Sequence, residues 1–248
     1  MNLLLWRAMS GLDILRRNYS ETKEYRFWFF WHMPKCGGTS FVHALSNSLK
    51  VTRDYHPVDR SGDAYRQYVK SPCKLSEFSR TDCLVGHYNI KGIQLWQRYP
   101  DLFQFSPRVF TILRDPVDTA VSGVRYGMQN GRISSGASQD SLDSLFLRRS
   151  NYFSSVLGIS KSSEITMLQN LLWKSCDISN ASKLISEINS HLYDSKSSPI
   201  DSDSVQENAI PRSNVTRSEF LYKPSGDALK EFKVRASLDL EIYRRLAS

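Results

Sequence analysis

The sequence feature that most constrains the fold is a run of aromatic residues that leads directly into a glycine-containing loop. Residues 25–32 read YRFWFFWH, and the run ends before Pro34 and the pair Gly37 and Gly38. This segment is too short for an independent helix, and it is apolar on both of its alternating faces. It therefore predicts a strand that is buried on both sides, as in a parallel sheet covered by helices.

The rest of the chain alternates strand patterns with helix patterns. Further strands are predicted at residues 82–86 and 108–113. The spacing of apolar residues predicts helices at 39–49, 116–126, 141–150, 164–175, 181–192 and 226–247. This alternation predicts an α/β protein with a central, mostly parallel sheet flanked by helices.

The chain is predicted to form a single domain over residues 1–248. Segments 129–144 and 194–204 are rich in small polar residues and predict flexible surface loops. Residues 1–24 predict an N-terminal amphipathic helical segment, whose apolar residues within 2–17 either pack on the domain or make peripheral contact with a membrane. Apolar stretches there are too short for a transmembrane segment or a secretory signal.

The composition indicates an anionic partner and gives no sign of a metal site. There are 33 Lys and Arg against 25 Asp and Glu, so the net charge is +8. This excess does not distinguish nucleic acid, acidic glycan, membrane surface and anionic cofactor. The cysteines form no CxxC pair and have no histidine at zinc-ligand spacing, so no metal is expected. They are predicted to be free thiols, although Cys73 and Cys83 leave a disulfide open in an oxidising compartment.

The loop after the aromatic run has the composition of a phosphate-binding loop. Its glycines allow the backbone to approach a ligand, and a helix beginning near Thr39 directs its first N–H groups toward the same place. Lys35 adds a positive charge, and Thr39 and Ser40 add hydroxyl donors. It is not a Walker A loop, because Lys35 precedes both glycines. The alternative is a tight turn that needs glycines for packing alone.

A second phosphate contact is predicted at the end of the strand at 108–113. Arg114 lies at its carboxyl end, where open α/β sheets bind ligands. Ser122 follows eight residues later, just over two helical turns on, so its hydroxyl faces roughly the same side as the first turn of the helix. Arg114 and Ser122 can therefore donate hydrogen bonds to one phosphate. The alternative is an ion pair between Arg114 and Asp118 at the helix end.

Together the two segments resemble the PAPS-dependent sulfotransferases, most closely the carbohydrate O-sulfotransferases of the heparan sulfate 2-O-sulfotransferase type. The resemblance covers about residues 27–45 and 108–127, with a weaker similarity at 237–243. It implies a P-loop-like three-layer fold and 3′-phosphoadenosine 5′-phosphosulfate (PAPS) as the donor. The residues that it implies at the 5′-phosphosulfate are Lys35, Cys36, Gly37, Gly38, Thr39 and Ser40. Cys36 stands where threonine is common, but its side chain need not touch phosphate.

The same resemblance implies the remaining roles. Arg114 and Ser122 match the 3′-phosphate site, and Asn214 lies where related enzymes place a loop over the nucleotide. Sulfuryl transfer requires a base near the acceptor, and Lys35 can stabilise the leaving phosphate without a metal. His87 follows Gly86 at a strand end, and the family has a catalytic Gly-His at a comparable place. His56 and an acidic residue remain alternatives for the base.

The implied acceptor is a hydroxyl group, expected on a sugar or glycan. One alternative is a P-loop kinase or NTPase, which the position of Lys35 and the lack of a Walker B pattern disfavour. Another is a non-catalytic polyanion-binding module, but the basic residues are scattered, so nucleic acid is not expected. The resemblance places the protein in the cytoplasm if it is bacterial, or in the Golgi lumen if it is a trimmed eukaryotic catalytic domain. The sequence does not determine the oligomeric state.

Overall fold

A computed structural model describes residues 25–57, 62–89, 94–193 and 220–247 of the chain. The strands are β1 (Phe27–Trp31), β2 (Lys50–Asp54), β3 (Asp82–Gly86), β4 (Pro107–Leu113) and β5 (Lys174–Asp177). The helices are α1 (Gly38–Leu45), α2 (Asp63–Lys70), α3 (Leu95–Arg98), α4 (Pro116–Gln129), α5 (Gln139–Leu147), α6 (Tyr152–Leu157), α7 (Ser163–Leu171), α8 (Ala181–Tyr193), α9 (Gly226–Arg235) and α10 (Ser237–Leu246). The strands form one sheet in the order β2-β3-β1-β4-β5, and all neighbours are parallel.

The aromatic strand β1 is buried on both faces of the sheet, as its sequence predicted. Phe27, Phe29 and Trp31 pack on one face with α6, α7 and α10. Trp28 and Phe30 pack on the other face with α1 and α8. Successive side chains of a strand point to opposite faces, so five consecutive aromatic residues fill two separate layers of core. The predicted three-layer α/β fold with a parallel sheet is confirmed.

The order of the strands creates a crevice at their carboxyl ends. β1 lies in the middle of the sheet, between β3 and β4. The chain leaves β1 toward the β2 side of the sheet and leaves β4 toward β5, so the loops after β1 and β4 diverge. Ligands of open α/β sheets bind at such a switch point. The loops that follow β3, β1 and β4 all lie along this edge.

The helix after β4 is positioned by local sequence signals. The Asp115 carboxylate accepts hydrogen bonds from the backbone N–H groups of Val117, at 2.8 Å, and Asp118, at 3.1 Å. Pro116 occupies the first turn, where its missing N–H costs nothing. This start, predicted from the sequence, fixes the direction of the chain just after Arg114.

Other element boundaries differ from the predictions. The edge strands β2 and β5 were not predicted, because both are short and largely polar and each has only one strand neighbour. The helix expected over 226–247 is divided at Ala236 into α9 and α10. α1 ends at Leu45 rather than near residue 49, since the following backbone N–H groups form tight turns. α5 begins within the predicted loop 129–144, because the Ser138 side chain caps its first turn.

Several sequence-based expectations concern parts of the chain outside the described residues. These are the helical segment at 1–24 with its apolar residues 2–17, the loop at 194–204, and Asn214. All four cysteines are free thiols, Cys73 and Cys83 included. Among the described helices, none has the length and apolar character needed to cross a membrane.

Candidate active site

The loop between β1 and α1 has an unusual backbone conformation. Lys35 has φ 69° and Gly37 has φ 75°, both in the left-handed region. For Lys35 this conformation costs about 1 kcal/mol, because its Cβ crowds the following carbonyl. Gly37 is the residue before α1, and no side chain caps the first turn. The N–H groups at the start of α1 therefore face the loop, where they and the helix dipole favour an anion.

Both glycines of the loop are also required for packing. A Cβ on Gly38 would lie 1.8 Å from Nε2 of His32, and a Cβ on Gly37 would lie 2.2 Å from the Ile178 side chain. Packing thus requires a glycine at both positions, and this requirement does not exclude a phosphate site. A side chain at either position would displace a neighbour from the loop.

The predicted phosphate-binding residues differ in their exposure. Thr39 is exposed in the first turn of α1, whereas Ser40 is buried. The Cys36 side chain is also buried, with Sγ 3.8 Å from Oγ1 of Thr119, and burial raises the pKa of its thiol to about 12. Cys36 thus faces the protein core and links the loop to α4.

Three side chains that follow neighbouring strands meet beside this loop: His32 after β1, Tyr55 after β2 and His87 after β3. The ring centroids of His32 and His87 are 4.4 Å apart, and those of Tyr55 and His87 are 4.6 Å apart. Nδ1 of His32 lies 2.7 Å from the Tyr55 hydroxyl. The predicted base is therefore brought to the glycine loop through His32, whose ring also contacts Gly38.

Electrostatics assign different roles to these three groups. Burial, followed by the proximity of His87, lowers the pKa of His32 well below its usual value, so His32 is neutral at physiological pH. Burial raises the pKa of Tyr55, which keeps its phenol protonated. His32 and Tyr55 are thus uncharged rings beside His87.

The residue before Tyr55, Asp54, belongs to a buried polar network that the sequence did not predict. Asp54, the last residue of β2, accepts hydrogen bonds from Arg98 Nε at 2.6 Å, Tyr99 hydroxyl at 2.8 Å and Tyr88 hydroxyl at 3.1 Å. A buried carboxylate that accepts three hydrogen bonds already has its polar partners inside the protein. Asp54 therefore does not serve as the acidic alternative to His87.

The remaining histidines have other contacts. Nδ1 of His56 lies 3.0 Å from the carbonyl oxygen of Pro57, and His43 is exposed on α1. The His191 ring packs against Trp28 and Trp173, near the amino ends of the strands. Among the described histidines, the ring contacts join only His32 to His87.

The catalytic candidate Lys35 contacts an aromatic residue of α4. Its Nζ lies 3.3 Å from the centre of the Tyr126 ring. Burial, followed by the positive charges of Arg149 and Arg132, lowers the pKa of Lys35 to about 8. A half-buried ammonium beside an aromatic face and two arginines is well suited to bind an oxyanion.

Two arginines lie near Lys35 and form with it a group of positive charges that the sequence did not reveal. Cζ of Arg132 lies 5.8 Å from the Tyr126 ring centre. The guanidinium of Arg149 lies across α4 at Gly123, where a Cβ would come within 2.5 Å of its Cζ. We call this group of three residues, Lys35, Arg132 and Arg149, the cation cluster. Within the described ranges, no carboxylate forms an ion pair with any member of the cluster.

The second predicted phosphate contact lies at the end of β4. A guanidinium nitrogen of Arg114 is 3.5 Å from the Asp118 carboxylate, so the predicted ion pair is present. Ser122 follows Asp118 by one turn of α4, which places the three residues along one side of the helix. The contact is partly exposed and therefore weak, and an anion could displace it.

The fold and the site together define an α/β protein with cationic side chains along one edge of a parallel sheet. No family model and no curated protein matches the sequence. The solved structures that match include two sulfotransferases. A sulfotransferase from Alicyclobacillus acidocaldarius has 14% identity and a TM-score of 0.49, with 91% of this chain and 96% of that chain covered. The mouse sulfotransferase SULT7A1 complexed with PAP has 18% identity and a TM-score of 0.41, with 96% and 90% covered. Similarity at this level does not identify a function, so the site residues alone must support one.

Proposed function

We propose that the protein is a sulfotransferase that moves the sulfuryl group of PAPS to a hydroxyl acceptor. The main support is the placement of two cationic sites at the ends of neighbouring parallel strands. Lys35 and the start of α1 follow β1, and Arg114 follows β4. A nucleotide with anionic groups at its 5′ and 3′ positions would have one contact at each site. The order of the two motifs matches that of the PAPS-dependent sulfotransferases.

In this proposal the loop holds the 5′-phosphosulfate. The backbone N–H groups at the start of α1 donate to its oxygens, and Thr39 adds an exposed hydroxyl. The acceptor oxygen attacks sulfur while the bond between sulfur and the 5′-phosphate oxygen breaks. Lys35 stabilises the negative charge that develops on this leaving oxygen. The products are a sulfate ester and 3′-phosphoadenosine 5′-phosphate (PAP).

His87 takes the proton of the attacking hydroxyl. Its neighbours His32 and Tyr55 stay neutral, so they do not oppose the positive charge that His87 gains. Their rings lie within 5 Å of the His87 ring and hold it beside the loop. A positioned general base of this kind contributes about 10²- to 10⁴-fold to a rate.

We propose a carbohydrate hydroxyl as the acceptor, on the basis of the similarity of the motifs to carbohydrate O-sulfotransferases. Among the described residues, no group of three or more His, Cys, Asp and Glu is arranged to hold a metal ion. The proposed chemistry does not require one, because the charge that develops on the leaving oxygen is met by Lys35 and the N–H groups at the start of α1.

Nucleotide titration tests the proposal against the kinase alternative. PAP has the 3′-phosphate for the Arg114 site, whereas ATP lacks it. At a concentration of about 100 times its Kd, PAP should stabilise the fold by about 2.7 kcal/mol. For a chain of this size that corresponds to a rise in Tm of about 5–10 °C. Stabilisation by ATP and not by PAP would contradict the proposal and favour an NTPase.

A further inference from the structure

The cation cluster lacks a counter-charge within the described part of the chain. Lys35 and Arg149 are half-buried, and Arg132 is exposed at the edge of the group. Burying an unpaired charge is unfavourable, and like charges add mutual repulsion. Both effects are visible in the lowered pKa of Lys35, for which burial and the two arginines are the causes. A bound anion would relieve both.

The contacts of α4 bring the cluster together. Tyr126 lies beneath Lys35, and Gly123, one turn earlier on α4, lies beneath the Arg149 guanidinium. Residues three apart on a helix have Cβ positions about 5–6 Å from each other. Because Gly123 has no side chain, the Arg149 guanidinium can lie close to the helix, next to Lys35.

We propose that Arg149 binds the 5′-phosphate of the nucleotide, as a second cationic contact beside Lys35. The inference rests on the proposed function and assigns a residue that neither motif contains. A guanidinium presents paired N–H donors that match two oxygens of one phosphate, whereas the Lys35 ammonium acts as a single point charge. Arg149 would thereby help to stabilise the leaving phosphate, and Arg132 would lie at the outer edge of the site.

The competing explanation is that Arg149 only packs on α4. A packing role predicts that substitution lowers the stability of the fold and affects the binding of all ligands alike. A phosphate contact predicts a loss of binding affinity only for ligands that have the 5′-phosphate. Adenosine 3′-phosphate (3′-AMP) lacks the 5′-phosphate, so comparing it with PAP isolates the proposed contact.

The experiment measures binding of PAP and 3′-AMP by calorimetry to wild type, Arg149→Gln and Arg148→Gln. Arg148 is exposed beside Arg149 and serves as a matched control for the loss of one positive charge. Arg149→Gln should weaken PAP binding by about 10- to 100-fold, as expected for hydrogen bonds to a charged group. The affinity of Arg149→Gln for 3′-AMP should be unchanged. Arg148→Gln should bind both PAP and 3′-AMP with the affinity of wild type.

A second variant tests the same contact without changing charge. Gly123→Ala places a methyl group where the Arg149 guanidinium lies. The flexible Arg149 side chain must therefore move away from α4. This variant should also weaken the binding of PAP and leave the binding of 3′-AMP unchanged. Because alanine favours a helix more than glycine does, the substitution should not destabilise α4 itself.

Each remaining outcome overturns the inference. Unchanged PAP binding by Arg149→Gln contradicts it while leaving the proposed function intact. An equal loss of affinity for PAP and 3′-AMP also contradicts the inference, because such a loss indicates general damage to the site rather than a missing 5′-phosphate contact. If wild type binds neither PAP nor 3′-AMP, the proposed function fails and the inference fails with it.

Discussion

Nδ1 of His32 lies 2.7 Å from the hydroxyl oxygen of Tyr55, while Nε2 of the same ring lies against the backbone of Gly38. One imidazole thus connects the end of β2 with the first turn of α1. Because His32 is buried and neutral, it acts as a spacer that sets the distance between the glycine loop and His87. The geometry of the candidate site therefore depends on a residue that is itself not expected to react.

Substituting Gly38 should disrupt this arrangement. In Gly38→Ala the new methyl group would overlap the His32 ring, so the ring or the loop must move. We expect a loss of about 1–3 kcal/mol in the free energy of unfolding, measured by denaturant titration, and a loss of PAP binding. Gly136→Ala is the control, since its Cβ would meet only the Ser134 hydroxyl at 3.9 Å. Equal stability of the two variants would show that His32 does not fix the loop.

Substituting the proposed base should separate catalysis from binding. His87→Ala should lower kcat by about 10²- to 10⁴-fold and leave the Kd for PAP nearly unchanged. Lys35→Ala should lower kcat and also raise the Kd for PAP, because Lys35 is proposed to contact the nucleotide. His43→Ala, an exposed substitution on α1, should behave as wild type. Normal turnover by His87→Ala would move the assignment of the base to His56 or to an acidic residue other than Asp54.

The lowered pKa of Lys35 predicts a pH dependence of nucleotide affinity. With a pKa of about 8, Lys35 of the free protein is mostly charged at pH 7 and mostly neutral at pH 9. The phosphates of PAP are already ionised in this range, since their second pKa is near 6. PAP binding should therefore weaken as the pH rises through 8, by roughly tenfold between pH 7 and pH 9. Calorimetry at several pH values measures this, and Lys35→Arg should remove the dependence because a guanidinium stays charged.

Removing the partner of Arg114 should strengthen binding at the 3′ end. Asp118 pairs with Arg114 at 3.5 Å and would also repel a phosphate there. Because such a partly exposed pair is worth at most about 1 kcal/mol, Asp118→Asn should tighten PAP and 3′-AMP binding by about two- to fivefold. The Kd for adenosine 5′-phosphate, which has no 3′-phosphate, is the control and should not change. Weaker 3′-AMP binding by Asp118→Asn would place the 3′-phosphate elsewhere.

The sequence predicted the parts of this protein that depend on neighbours along the chain. The five aromatic residues of β1 indicated a strand buried on both faces, and Asp115 with Pro116 indicated the start of α4. The glycine loop was recognised because its composition restricts the backbone locally. The short edge strands β2 and β5 were missed, since little of their polar sequence is buried.

Only the tertiary structure decided which distant residues meet. Lys35 and Arg149 belong to segments far apart in the sequence, and they are neighbours because both pack on α4. His32 and Tyr55 meet because β1 and β2 end at the same edge of the sheet, although β3 separates them. Sequence patterns record the local preferences of the backbone and the periodicity of burial. The charge balance of a site, by contrast, depends on contacts between elements, which exist only after the chain has folded.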